Sequence, residues 1–102
     1  MARDGRGARA VRRLLRLTDR FFFQRSLLVP PRTLPASALA ATLGRLLDAE
    51  LPGPLDFRAM MPSGEVWVRR VPGASLWLYY TFEADELTVW SLNNREPIRI
   101  DD

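Results

Sequence analysis

The sequence predicts an α+β domain in which an N-terminal αα-hairpin packs on a small three-stranded antiparallel β-meander. Two observations indicate this class. Apolar residues recur at helical spacing through the first half of the chain, and from residue 65 onward aromatic and β-branched residues dominate, as they do in strands. A length of 102 residues suits one domain with one modest core. We therefore expect a single domain over residues 1–102.

The first helix is predicted from Ala8 to about Phe23, after residues 1–7, which we expect to be disordered. At 3.6 residues per turn, apolar side chains from Val11 to Phe22 fall on one side of this helix. The opposite side carries Arg9, Arg12, Arg13, Arg16 and Arg20. Such a stripe is typical of a solvated helix face, or of a surface that binds nucleic-acid phosphates, an acidic protein or an anionic membrane.

The second helix is predicted from about Pro35 to Glu50, because leucines repeat at helical spacing between small alanines. Proline suits the first turn of a helix, and Thr33 is placed to cap it. The Pro-Gly-Pro run at 52–54 ends the helix. With a short proline-bearing connection, the two helices would form an αα-hairpin over residues 8–51.

Three strands are predicted at residues 65–70, 75–82 and 86–92, joined by links short enough for antiparallel hairpins. They would form an antiparallel sheet within residues 65–99. Along the middle strand, one face carries Leu76, Leu78, Tyr80 and Phe82, and the other carries Trp77, Tyr79 and Thr81. We expect the first face to pack on the helices and the second to form a shallow aromatic binding surface.

Composition excludes several kinds of site. The chain has no cysteine and no histidine, which removes disulfides, thiolate nucleophiles, the commonest metal ligand and the usual base near neutral pH. It also has no glycine-rich phosphate loop, zinc-ligand spacing or nucleophile elbow. We therefore expect no cofactor and no metal. Any catalysis would come from carboxylates, tyrosines, arginines, hydroxyls or the backbone.

Charge is divided unevenly along the chain. All fifteen basic residues are arginine, and the net charge of +3 combines +7 over residues 1–32 with −4 over residues 33–102. This asymmetry suggests an anionic partner for one face. No stretch approaches the ~18 uninterrupted apolar residues of a transmembrane helix. The arginine-rich start is not followed by the apolar stretch of a secretory signal, so we expect a cytoplasmic protein with no membrane association.

The second half of the chain resembles a known family. The segment "GEVWVRR" is similar to the Gly-Leu-x-Glu-Leu-Arg strand of the RelE/ParE superfamily of small bacterial toxins. The segment "LWLYYTFEADELTVWSLNNRE" resembles that superfamily's next hairpin, in which a tyrosine closes one strand and a β-branched run leads to an arginine. The resemblance covers roughly residues 35–99. Three features depart from it: the predicted first element is a helix instead of a strand, Trp77 replaces an arginine, and the lysine or histidine of many members is absent.

This resemblance implies the toxin component of a type II toxin–antitoxin system. Its target would be ribosome-bound messenger RNA, cut by a metal-independent endoribonuclease, or a DNA topoisomerase, inhibited by binding. Its partner would be a cognate acidic antitoxin that covers the sheet face and the basic patch. The alternative is a small non-enzymatic protein- or nucleic-acid-binding module that uses the sheet face and the arginine-rich helix.

The resemblance also implies a catalytic set of Arg69, Tyr80 and Arg95, with Glu96 as the nearby candidate base. Arginines in such a site stabilise charge that develops at a phosphate. The alternatives are that one of Arg69 and Arg70 points to solvent while the other pairs with Glu65 or a neighbouring strand, that Tyr80 is a core tyrosine, and that the strand end is only a turn. Further candidate binding residues are Arg70, Trp77, Tyr79 and Asn94.

Overall fold

The structure, a computed structural model, describes residues 12–100, which form two helices and one five-stranded mixed sheet. In chain order the elements are β1 (Leu14–Leu17), α1 (Asp19–Leu28), α2 (Leu34–Asp48), β2 (Phe57–Met61), β3 (Gly64–Val71), β4 (Leu76–Phe82) and β5 (Glu86–Asn93). The strand order is β1-β5-β4-β3-β2, and only the β1–β5 pair is parallel. The predicted fold class, with a three-stranded antiparallel meander, is therefore wrong. The three predicted strands are present as β3, β4 and β5, but β1 and β2 extend the sheet on both sides.

The first predicted helix is wrong where it covers β1. Leu14 to Leu17 pair in parallel with Glu86 to Val89, and this pairing supplies their backbone hydrogen bonds. The segment has leucines at both odd and even positions, so its pattern fits either period over so short a length. Pairing with β5 decides the conformation. The part of the predicted helix before residue 12, and the segment 1–7 predicted to be disordered, lie outside the described residues.

Helix α1 begins after β1 at a well-formed cap. The Thr18 hydroxyl accepts a hydrogen bond from the Phe21 backbone N–H, as an N-cap residue does, and donates to the Trp90 carbonyl. The Gln24 side-chain oxygen accepts hydrogen bonds from the Ser91 hydroxyl and the Leu92 N–H. These contacts fasten α1 to β5.

Helix α2 is present close to its predicted bounds, with Thr33 capping its first turn. The two helices do not form the predicted N-terminal αα-hairpin over residues 8–51, because β1 precedes them and each packs separately on the sheet. α1 packs mainly on β5 and α2 contacts β3. The end of α2 is held by Arg13, whose backbone N–H donates to the Leu47 carbonyl and whose guanidinium donates to the Ala49 carbonyl. Cationic groups are favourable at a helix C-terminus.

The core lies between the helices and one face of the sheet. On β4 this face carries the fully or nearly buried Leu76, Leu78 and Tyr80, as the strand pattern predicted. From the helices, Phe21 and Leu46 contribute fully buried side chains. Neither helix within residues 12–100 has the length and hydrophobicity needed to cross a bilayer.

The opposite face of the sheet is not an open platform. Val68, in the middle of this face, is fully buried, and Trp77 and Tyr79 are half-buried. After β5, the chain crosses the width of the sheet to the far edge strand, where the Ile100 N–H donates to the Arg58 carbonyl on β2. The C-terminal segment therefore runs across the strands, from β5 to the edge strand β2.

Candidate anion-binding cleft

A cleft lies where β3 extends beyond the start of β2. β2 pairs with β3 only as far as Phe57 and Val68, so the next three residues of β3 have no strand partner on that side. The loop that precedes β2 lies beside this open edge. The cleft has a volume of about 440 Å³ and is lined by Arg45, Pro54, Leu55, Asp56, Arg69, Arg70 and Pro72.

Asp56 forms the inner wall of the cleft and is the centre of a buried hydrogen-bond network. Its side chain is only 1% exposed. Arg69 donates to it twice, from Nε to Oδ1 at 2.8 Å and from Nη2 to Oδ2 at 2.9 Å. The Gly53 N–H donates to Oδ2 at 2.8 Å, and the Tyr80 hydroxyl donates to the same oxygen. A bidentate arginine–carboxylate pair of this kind is among the strongest hydrogen-bonded contacts in proteins.

Gly53 is required by the close approach of the loop to Arg69. A Cβ atom at this position would overlap the Arg69 Nη2 atom and crowd the Asp56 carboxylate. The Arg69 guanidinium has no freedom to move aside, because Asp56 holds two of its nitrogens. Only glycine therefore lets the backbone N–H of the loop reach Oδ2.

The Tyr80 hydroxyl is a fixed donor. Burial in the core raises the pKa of Tyr80 far above its ordinary value, and the hydrogen bond to Asp56 raises the pKa further. The hydrogen bond to Asp56 likewise raises the pKa of Arg69, against the opposing effect of burial. Both groups therefore keep their protons throughout the physiological range, and neither is poised to exchange one.

One nitrogen of Arg69 is not held by Asp56. The Arg69 side chain is 19% exposed, and Nε and Nη2 both face Asp56. Because the guanidinium is planar, Nη1 points away from the carboxylate. This atom has no hydrogen-bond partner among residues 12–100.

The rim of the cleft carries two exposed arginines. Arg45 comes from the last turn of α2, and Arg70 follows Arg69 on the opposite face of β3. In the part of the chain that the structure describes, no carboxylate lies within ion-pair distance of either. The Arg70 guanidinium lies over the Trp77 ring, 5.8 Å from its centroid. With three arginines and one aspartate, the cleft carries a net charge of +2.

The structure places two of the predicted catalytic residues together, but inside the fold. Arg69 and Tyr80 meet through Asp56, and Tyr80 is completely buried. Tyr80 is therefore a core tyrosine whose hydroxyl has a partner, as in the alternative given above. Arg69 does form an ion pair, although not with Glu65, which lies 3.2 Å from Arg58 instead.

The third predicted catalytic residue lies apart from the other two. Asn94 and Arg95 form an exposed bend directly after β5, followed by the exposed Glu96. Within residues 12–100 their side chains make no hydrogen bond or ion pair. Asn93 pairs with Trp77, which pairs with Arg70, so this bend is at the same end of the sheet as the cleft rim.

The N-terminal arginines do not form the predicted stripe. Arg12 lies 3.9 Å from Asp48 and Arg16 lies 3.5 Å from Glu86, both in exposed pairs. Arg13 donates to backbone carbonyls, and Arg20 is exposed in the first turn of α1. Arg9 lies outside the described residues. The stripe required one continuous helix, which β1 replaces.

Sequence reasoning missed Asp56, Gly53 and Arg45. An acid between Leu55 and Phe57, shortly after the Pro-Gly-Pro run at 52–54, was the available signal for a buried carboxylate. The side chains that donate to it, Arg69 and Tyr80, are 13 and 24 residues away in the chain, so no local pattern connects them to Asp56. Between residues 12 and 100, no three acidic side chains converge where a metal ion would bind.

Comparison with protein-family models, with curated proteins and with solved structures finds no match for this chain. The resemblance to the RelE/ParE superfamily therefore depends only on the sequence segments quoted above. The function is inferred from the residues of the cleft.

Proposed function

We propose that this protein binds the phosphate backbone of nucleic acid through the arginine cleft, and that it acts by binding and not by catalysis. The observation that carries this proposal is the pair of exposed arginines without carboxylate partners, Arg45 and Arg70, beside the fixed Arg69. Three arginines line one concavity, and the planar guanidinium group matches the geometry of phosphate oxygens.

The rim favours nucleic acid over an acidic protein as the source of the anion. Arg70 and Trp77 already stack on each other, so an aromatic ring lies directly beside a cationic group. Proteins that bind single strands combine cationic grooves with aromatic rings on which bases stack. The exposed Leu55 adds an apolar contact at the mouth of the cleft.

The network behind the rim favours binding over cleavage. Cleavage of RNA by general acid–base catalysis needs groups that exchange protons within reach of the substrate. The Tyr80 hydroxyl is buried, bound to Asp56 and held protonated, and two of the Arg69 nitrogens are occupied. These residues support the cleft instead of reacting in it.

The physiological setting that the resemblance suggests is the toxin component of a toxin–antitoxin pair with an acidic antitoxin. Members of the superfamily usually open with a strand before the two helices, and β1 occupies that place in this chain. Both targets that the resemblance implies, a translating ribosome and a DNA topoisomerase, present nucleic acid. Of the two mechanisms, the cleft supports inhibition by binding.

The test is the affinity of the full chain for a fluorescently labelled single-stranded RNA of about 12 nucleotides, within the site sizes of such proteins. The double variant Arg45→Ala/Arg70→Ala should bind more weakly. Its affinity should also depend less on salt: the slope of log affinity against log salt concentration should be shallower by about 1.4, because two phosphate contacts are lost. Fluorescence anisotropy over a series of salt concentrations measures both quantities.

The matched control is Arg20→Ala/Arg32→Gly, which removes the same charge outside the cleft. Glycine suits position 32 because Arg32 has a φ of 60°. This control should keep most of the affinity. An equal loss in both double variants, or no binding by the unaltered chain, would show that the cleft is not the site. Cleavage of the RNA during the assay would contradict the non-catalytic part of the proposal.

A further inference from the structure

Helix α1 exposes an apolar surface that the cleft does not explain. Of its three consecutive phenylalanines, only Phe21 is buried, whereas Phe22 and Phe23 are 43% and 65% exposed. Leu27, one turn later, is 67% exposed. Exposed apolar side chains grouped in this way mark surfaces that bind a partner.

Phe22 lies beside a groove between α1 and α2, because Arg25 and Ser26, three and four residues later on the same helix, line that groove. The groove has a volume of about 440 Å³ and is lined by Arg25, Ser26, Val29, Pro31, Ala36, Leu39, Ala40 and Leu43. Most of the lining is apolar, and the two alanines contribute small side chains. A concavity of this shape is suited to apolar side chains that project from a partner helix.

The groove also carries a positive charge, because Arg25 is the one charged residue among the described residues that line it. Arg25, at the wall of the groove, lies over the rings of Phe21 and Phe22, 5.9 Å and 5.1 Å from their centroids. It has no carboxylate partner within the described residues. An occupant of this groove therefore gains by bringing carboxylates.

We infer that the groove between α1 and α2 is a docking site for an acidic amphipathic helix of a partner protein. Apolar side chains of that helix fill the groove and contact Phe22 at its edge, and its flanking carboxylates pair with Arg25. This inference stands independently of the nucleic-acid cleft, because the two sites share no lining residue.

Charge excludes a second copy of this chain as the occupant. In a two-fold dimer the same patch meets itself, so the Arg25 side chains of the two copies would be brought together. Like charges that face each other across an interface are strongly unfavourable. An anionic membrane is the other candidate for a basic, aromatic helix. A flat bilayer surface does not fill a concavity, so the groove favours the protein helix.

The test uses a labelled synthetic peptide of about 14 residues, with leucines at the i, i+3, i+4 and i+7 positions of one helix face and glutamates elsewhere. There are two control peptides. One has the same composition with its leucines dispersed around the helix, and the other keeps the leucine positions but has lysines in place of the glutamates. Anisotropy titration with the full chain should show saturable binding of the first peptide only. Equal binding of the first peptide and the dispersed control would overturn the inference.

Two pairs of variants locate the binding. Ala40→Trp fills the groove and should abolish binding, whereas Ala41→Trp, the same change at an exposed position outside the groove lining, should not. Arg25→Glu should weaken binding by about tenfold or more and should gain binding of the lysine peptide. Arg95→Glu is its control. Circular dichroism melting verifies that each variant is folded.

Three further results separate the explanations. The cleft variant Arg45→Ala/Arg70→Ala should keep full affinity for the peptide, whatever its affinity for RNA. Peptide binding that Ala40→Trp leaves unchanged would overturn the inference. So would absence of peptide binding together with co-sedimentation on phosphatidylserine–phosphatidylcholine vesicles, which would identify a membrane-binding surface.

Discussion

Arg69 and Arg70 are neighbours on β3, but their surroundings differ completely. Arg69 faces the core side of the sheet, where Asp56 holds two of its nitrogens in a buried pair. Arg70 faces the opposite side and is exposed, and its guanidinium lies over the ring of Trp77. The difference shows that the residue type does not decide the role of an arginine. The partner and the burial decide it.

The comparison extends to the two parts of the cleft. Its inner wall is a hydrogen-bond network within the fold, in which the Asp56 carboxylate accepts from Arg69, Tyr80 and Gly53, and so it contributes to stability. Its rim leaves two guanidinium groups for a ligand. Substitutions of the wall should therefore affect the free energy of unfolding, and substitutions of the rim should affect binding.

The largest effect is expected for Asp56→Ala. Removing the carboxylate leaves the buried Arg69 charge, the Tyr80 hydroxyl and the Gly53 N–H without their partner, so the free energy of unfolding should fall by about 3–5 kcal/mol. Chemical denaturation measures it. Asp48→Ala, which removes an exposed ion pair with Arg12, should cost no more than about 1 kcal/mol. Similar losses in both variants would mean that burial of the Asp56 pair has no special effect.

A smaller loss is expected for Gly53→Ala. The added methyl group overlaps the pinned guanidinium of Arg69, so we expect a cost of about 1–3 kcal/mol from overpacking. Gly44→Ala is the matched control, because the residue is inside α2 and, apart from the neighbouring backbone of that helix, no atom lies within 4 Å of the added carbon. The control should be stabilised by up to about 1 kcal/mol. If Gly53→Ala is as stable as the unaltered chain, the loop does not press on Arg69.

The third prediction concerns alkaline pH. Because folding raises the pKa of Tyr80, the native state keeps a proton that the unfolded state loses above its ordinary pKa of about 10. The stability conferred by the protonated hydroxyl is complete below that pH. Above it, the free energy of unfolding should fall by about 1.4 kcal/mol per pH unit. Tyr80→Phe should lose this dependence and Tyr79→Phe should keep it, as urea titrations between pH 8 and 11 would show. The same slope in both variants would contradict the assignment.

Sequence patterns predicted the parts of the fold with strong periodicity. α2 and the strands β3, β4 and β5 lie close to their predicted positions, because each is long enough for its period to be unambiguous. β1 was assigned to a helix because it is short, and only its pairing with β5 distinguishes the two conformations. β2 was missed because alanine, arginine and two methionines give its sequence little β character.

The candidate site was predicted less completely than the fold. The sequence pointed to Arg69, Arg70 and Tyr80, but it did not show that Arg69 and Tyr80 meet the same buried carboxylate. That contact depends on how the loop before β2 folds over the edge of β3. The rim also needs Arg45 from α2, which only the packing of that helix brings to the sheet.

The division between wall and rim is tested most directly by hydrogen exchange at the arginine Nε–H groups, followed by NMR with and without single-stranded RNA. In the free protein, the Arg69 Nε–H should exchange slowly because Asp56 accepts it, whereas those of Arg45 and Arg70 should exchange fast. Addition of RNA should slow exchange at Arg45 and Arg70 and leave Arg69 slow. Fast exchange at Arg69 in the free protein, or unchanged fast exchange at both rim arginines when RNA is bound, would contradict the account.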